Sequence, residues 1–182
     1  IIANEIPMDE RPFWFDIKQQ KFLHNIDTFY YSVKLINDFT INTEDAAVLH
    51  FRKTTERLRD KMGYNDSIPF YLDTIGENTN LLNLSYGKYY NVCLECPEYF
   101  HVFIASKVPP SASGFNSVTC EIIVQLRSYM LWMYGIHAAF EESLRYVQAI
   151  VDQFGFDISF VQENRIDYCW HSNYLVNPEK FF

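Results

Sequence analysis

The chain has 182 residues, of which 48% are hydrophobic and 21% are charged, a balance typical of one folded domain and not of a disordered chain. The net charge of -8 at pH 7 argues against a protein that coats nucleic acid, because such proteins are basic, so any DNA contact must be local. No run approaches the roughly 18 apolar residues of a membrane span and no signal peptide opens the chain, which predicts a cytoplasmic protein.

The cysteines and the two chain ends carry further expectations. Four cysteines are too few and too scattered for a disulfide scaffold, and Cys93 with Cys96 gives only half of a zinc-site spacing, so we expect reduced structural thiols. The chain begins at Ile1 without a methionine and ends on two phenylalanines, so we expect an internal fragment of a longer protein. Residues 1–27 are predicted to form a docking arm and residues 28–182 a single core.

In the first half of the chain, the pattern predicts one strand, one helix and a stretch of turns. Residues 28–36 are rich in aromatic and β-branched residues, as strands are. Residues 42–45 combine a helix cap with early acids and Gly63 closes the helix that follows. Residues 65–87 carry scattered Pro, Gly and Asn, which indicates turns and short strands.

The second half predicts strands around one long helix. The pattern predicts strands over residues 101–106 and 117–128, with a loop at 109–114 between them, and a short strand over residues 130–134. Residues 138–154 repeat apolar side chains at helical spacing and Gly155 follows, so a helix should end there; residues 158–161 and 165–170 read as strands. This order predicts an α+β fold: a largely antiparallel sheet with helices packed on one face and the other face open to a ligand.

Alternation along the last strand places ionisable residues on one face. Arg165, Asp167 and His171 share it, while Ile166, Tyr168 and Trp170 are predicted to face the helices. The strand 117–128 has its own polar face, formed by Glu121, Gln125 and Arg127. If these two strands pair, Asp167, His171 and Glu121 could hold a divalent metal beside the arginines, as phosphodiester cleavage requires. The alternative is a polar face that is only solvated.

A second candidate surface is the basic run at residues 50–61. Arg52, Lys53 and Arg57 lie on one predicted helix and could contact DNA. Such runs are more often a solvated helix face, and the sequence alone leaves both interpretations open.

Three segments resemble the replication initiation factor family, which includes rolling-circle plasmid and phage initiators and relaxases of integrative elements. They are residues 125–135, Phe154-Gly155 and residues 164–173, and the family's recurring mark is the strand Arg165-Ile166-Asp167. The resemblance covers roughly residues 117–175. It implies a sheet of the RNA-recognition type, as in relaxases, and a Mg²⁺- or Mn²⁺-dependent nicking and joining of origin DNA in single-stranded or hairpin form. A helicase is a further partner implied by replication initiation.

The resemblance assigns site residues only in part. Arg165 and Asp167 carry over directly as catalytic residues, and His171 stands where the family often has another Asp. The nucleophilic tyrosine is expected on a later helix beyond residue 182, whereas Tyr174 is expected in the core or at its rim. Whether this chain is itself an endonuclease stays open, and the alternative is a non-catalytic module that binds DNA or another protein.

Overall fold

The computed structural model of the protein describes residues 22–36, 46–63, 67–97, 100–105 and 120–172. These residues form seven strands and two helices. In chain order they are β1 (Phe22–Leu35), α1 (Ala46–Arg59), β2 (Ser67–Leu72), β3 (Glu77–Leu82), β4 (Tyr90–Cys96), β5 (Phe100–Ala105), β6 (Ile122–Leu126), α2 (Ser128–Phe154) and β7 (Ile158–Ser172).

All seven strands belong to one sheet in the order β2-β3-β4-β5-β6-β1-β7, and every neighbouring pair is antiparallel. Both helices contribute to one large apolar core with residues from the same face of the sheet. The predicted α+β class, with helices on one face of an antiparallel sheet, is therefore confirmed. The relaxase-like core that the resemblance implies stays a prediction.

The strand β1 lies between β6 and the edge strand β7, and its side chains alternate between the two faces of the sheet. Phe29, Tyr31, Val33 and Leu35 are buried and point into the helix-covered core. Inside that core, the hydroxyl of Tyr31 lies 2.8 Å from the hydroxyl of Ser143 on α2, so the phenol is satisfied where water cannot reach. The side chains between them belong to the opposite face, which no helix of the described residues covers and which we call the helix-free face.

The position of β1 overturns the predicted pairing of the strand 117–128 with the last strand. β1 pairs antiparallel with β6 on one side and with β7 on the other, so it separates the two. β6 and β7 are consequently parallel to each other and joined through α2. Parallel strands joined by a helix need not be adjacent, and here the crossover leaves room for one antiparallel strand between them.

The helix α2 begins earlier than predicted. The predicted helix over 138–154 is confirmed, and Gly155 ends it in the left-handed conformation with φ 72°. The predicted strand at 130–134 is wrong, because these residues form a first helical segment that precedes a break at Gly135 with φ 77° and ψ 161°. Met130 and Leu131 are buried next to each other in that segment, whereas a half-buried strand would bury alternate residues.

Several other predicted boundaries change. The strand predicted at 28–36 is the longer β1, and the two strands predicted at 158–161 and 165–170 are the single strand β7. Tyr168 was expected to face the helices and is 66% exposed, whereas Ile166, two residues earlier on the same strand, packs against the core. Residues 22–27 of the predicted docking arm instead form the start of β1, because they pair with β7. The rest of the arm, the cap at 42–45, the loop at 109–114 and Tyr174 lie outside the described residues.

The strand β4 was not predicted, and it holds both cysteines of the half zinc spacing. Cys93 and Cys96 are three residues apart on a strand, so they are buried on opposite faces of the sheet. Burial raises the pKa of the Cys93 thiol to about 12 and that of Cys96 well above its ordinary value. These two thiols therefore pack as small apolar groups and cannot face one metal ion. In the described part of the chain, no helix is both long and apolar enough to cross a membrane.

Candidate nucleic-acid interface

One line of polar side chains crosses five adjacent strands on the helix-free face. The register places each of its members directly opposite the next, and residues opposite each other on antiparallel strands share a face. The members, from β4 to β7, are Glu95, His101, Gln125, Tyr30 and Arg165. We call this line the cross-strand row.

Neighbours in the cross-strand row contact one another. His101 lies with its Nε2 3.5 Å from a Glu95 oxygen and its Nδ1 3.5 Å from the Gln125 amide oxygen. The hydrogen bond between Gln125 and the Tyr30 hydroxyl acts to lower the pKa of that phenol. At the end of the row, the Arg165 guanidinium lies 5.8 Å from the centroid of the Tyr30 ring, within the range of a cation–π contact. The row is thus one connected polar network.

The row lies beside a small apolar cluster on the same face. Cys93, Phe103 and Ile123 are buried there, and Tyr30 packs against them. Tyr86, in the connection between β3 and β4, places its ring 5.9 Å from Tyr30 and 5.6 Å from Phe103. The helix-free face is therefore not simply solvated: it presents aromatic rings on an apolar base next to hydrogen-bonding groups.

Tyr30 is a hydrogen-bonding ring and not an activated nucleophile. Burial raises its pKa above the ordinary value, and the neighbouring Tyr86 adds to this, while Arg165 acts in the opposite direction. A nucleophilic tyrosine needs an environment that favours the phenolate. The Tyr30 phenol therefore stays protonated at neutral pH.

Two arginines are available at the row: Arg165, its last member, and Arg127, which lies next to it. Arg165 is 63% exposed, and its Nε donates a 2.7 Å hydrogen bond to Asp167, which leaves the terminal amino groups for other acceptors. Arg127, directly after β6, is about half exposed, and its contact with Glu95 is long at 3.8 Å. Of the predicted site residues, the structure thus brings Gln125, Arg127, Arg165 and Asp167 to one face.

Glu121 is not on that exposed surface. Its carboxylate is 1% exposed, forms an ion pair with Lys34, and accepts a 2.8 Å hydrogen bond from the backbone N–H of Leu35. Burial raises its pKa above the ordinary value against the effect of these two partners. Both carboxylate oxygens are therefore used by partners within the protein, which is the physical reason that this predicted ligand is buried and not available to a metal ion at the surface.

The predicted metal ligands also lie far apart. Glu121 contacts Lys34, whereas Asp167 is paired with Thr28, six residues away along β1. At ~3.3 Å per residue, six residues span about 20 Å, and one metal ion needs ligand atoms at about 2 Å. Glu121 and Asp167 therefore do not fit one Mg²⁺ or Mn²⁺. The backbone of His171 pairs with Leu23, and its side chain lies outside the described part of the structure; the roles of Asp167 and His171 stay predictions.

The basic helix lies on the other side of the sheet. α1 buries Val48, Phe51 and Thr55 toward the helix-covered core, and this leaves Lys53 and Arg57 exposed on the outer side. Arg52, on the same helix, is half-buried. The two DNA surfaces predicted from the sequence are thus separated by the sheet.

Three participants of the interface were not predicted: Tyr30, His101 and Glu95. Alternation along each strand gives the face of each side chain, but it contains no information about which residue lies opposite which. Their alignment follows from the registers of four strand pairs. No family model matches this chain, and neither a curated protein nor a solved structure matches it.

Proposed function

We propose that this protein binds single-stranded DNA on the helix-free face of its sheet. The observation that carries the proposal is the Arg165 guanidinium over the Tyr30 ring, with the Gln125 amide at the phenol hydroxyl. Single-stranded nucleic acid is held by aromatic rings that stack on bases, by guanidinium groups, and by side chains that hydrogen-bond base edges. All three kinds of group meet at this one position.

The charges of the face determine how strong the binding should be. Arg165 lies beside Asp167 and Arg127 faces Glu95, so each guanidinium has a carboxylate neighbour. These acids hold the guanidinium groups in place and reduce the positive field, consistent with the net charge of -8. With two arginines available for phosphates, log K should fall with log salt with a slope of about −1.4, which is shallow for a DNA-binding protein.

The biological setting of this binding is also part of the proposal. We place it in the cytoplasm, in the initiation of replication of a plasmid, phage or integrative element, with a helicase as a further partner; the support is the Arg165-Ile166-Asp167 resemblance. Nicking and joining of origin DNA stays a prediction. The convergence of Glu121 with Asp167, on which the metal-dependent form of that prediction depended, is absent from the described residues.

The test is fluorescence anisotropy with labelled oligothymidylate. Arg165→Ala and Tyr30→Ala should each weaken binding by about tenfold, the scale of one lost stacking or cation–π partner. The matched control is the double variant Lys53→Ala/Arg57→Ala, which removes two exposed cations from the opposite side of the sheet. That variant should bind as the unmodified chain does.

The outcomes separate the two sides of the sheet. Loss of affinity in the α1 double variant, with Arg165→Ala unchanged, would assign DNA binding to the basic helix. Absence of binding at low salt would remove the proposal altogether. A matched RNA oligonucleotide that binds more tightly than DNA would change the ligand class while leaving the surface in place.

A further inference from the structure

Exposed aromatic side chains concentrate at the first segment of α2. Four of the eleven exposed large hydrophobic side chains among the described residues lie within six positions, so exposed apolar area is concentrated in this segment. They are Tyr129, Trp132, Met133 and Tyr134. We call residues 128–134 the aromatic segment; the break at Gly135 separates it from the rest of α2.

Trp132 is held in place although its ring is exposed. Its indole Nε1 donates a 3.0 Å hydrogen bond to the backbone carbonyl of Ile26 on β1, and the side chain is still 45% exposed. Tyr129 lies three residues earlier, so the two rings are neighbours on one side of the helical segment. The hydrogen bond uses the polar edge of the indole and fixes the orientation of this partly exposed ring.

The position of the aromatic segment relates it to the cross-strand row. Arg127 directly precedes the segment at the end of β6. Ile26, which accepts the Trp132 hydrogen bond, is two residues from Thr28, the partner of Asp167. The segment therefore lies at the end of the sheet where the arginine and the acid of the proposed interface are found.

We propose that Trp132 and Tyr129 form a second stacking subsite for bases of the same DNA strand, reached where the strand passes Arg127 and leaves the sheet. This inference rests on the proposed single-stranded DNA binding. Base stacking suits this surface because every base has a π-face, so the subsite adds affinity without selecting a sequence. Charge complementarity along the path comes from Arg127, which is about half exposed between the row and the segment.

The experiment measures binding of labelled oligothymidylates of increasing length, within the span of about 4 to 16 nucleotides that one such site covers. The unmodified chain should gain affinity when the oligonucleotide becomes long enough to reach the aromatic segment. Trp132→Ala should lose that gain, about 5- to 100-fold on long oligonucleotides, and bind short ones unchanged. Tyr71→Ala, an exposed ring on the edge strand β2, is the matched control and should retain the gain.

Each alternative result overturns the subsite. No gain with length in the unmodified chain, or an equal loss at every length in Trp132→Ala, would remove it while Arg165-dependent binding of short oligonucleotides stands. Self-association abolished by Trp132→Ala, without a length effect, would assign the segment to contact between copies. If Trp132→Ala does not fold, Tyr129→Ala decides by the same length-selective loss. Failure of all oligonucleotides to bind would instead refute the proposed function itself.

Discussion

Two cation–carboxylate pairs lie along β1, one at its end and one near its middle, and the two pairs differ in their exposure to water. At one end, Lys34 pairs with Glu121, whose carboxylate is buried and also bonded to the backbone of Leu35. Beside Tyr30 and Thr28, Arg165 pairs with Asp167 at the surface. The difference teaches that a cation–carboxylate pair supports the folded structure when it is buried. The same kind of pair is available to a ligand when it is exposed to water.

The largest expected effect is at the buried pair. Glu121→Ala removes the partner of Lys34 and leaves the Leu35 N–H without its acceptor, and breaking such a pair costs about 3 kcal/mol. The free energy of unfolding, measured by urea denaturation, should fall by this amount. Glu121→Gln retains an acceptor oxygen for Leu35 and should lose less. An unchanged unfolding midpoint in Glu121→Ala would show that the buried pair does not stabilise the fold more than the exposed one.

The buried pair should also show in the pH dependence of stability. Burial raises the pKa of Glu121, so the folded chain holds this proton more tightly than the unfolded chain does. Its contribution is fully present below the ordinary value of 4.5 and is lost as pH rises through the raised folded value. As pH rises from 4.5, the unfolding free energy of the unmodified chain should therefore fall relative to that of Glu121→Gln. Parallel pH profiles would refute a raised pKa at this site.

At the exposed pair, a smaller change should appear in binding and not in folding. Arg165→Lys keeps the charge but loses the planar guanidinium that lies over Tyr30. Affinity for oligothymidylate should fall, by less than in Arg165→Ala, while the melting temperature stays the same. Equal affinities of the Lys variant and the unmodified chain would show that only charge matters there.

The smallest expected effect is that of Asp167→Asn on stability. Its ion pair with Arg165 is exposed, and many pairs of this kind contribute nothing measurable. Thermal unfolding should therefore be unchanged within error. A large loss of stability would show that Asp167, like Glu121, supports the fold. The nicking hypothesis adds that Asp167→Ala abolishes metal-dependent nicking of a supercoiled origin plasmid.

Local patterns were sufficient for some elements and not for others. The long helix over 138–154 and its end at Gly155 follow from apolar spacing and from one glycine. Residues 130–134 contain large side chains suited to either a strand or a helix, and only their contacts decide for the helix, since Met130 and Leu131 are both buried against the core. The interior strand β4 was missed because both of its faces are partly apolar, so it lacks alternation.

By itself, the sequence determined the face of each side chain within an element, because the periods of helices and strands depend on neighbours along the chain. It placed Arg165 and Asp167 on the polar face of one strand, and Gln125 and Arg127 on the polar face of another. In the folded sheet these two polar faces are the same face. Only the tertiary structure decided that β1 separates β6 from β7, that Tyr30 lies between Gln125 and Arg165, and that Glu121 is buried in an ion pair with Lys34. Strand order and register arise from packing between distant parts of the chain, and a one-dimensional pattern does not contain them.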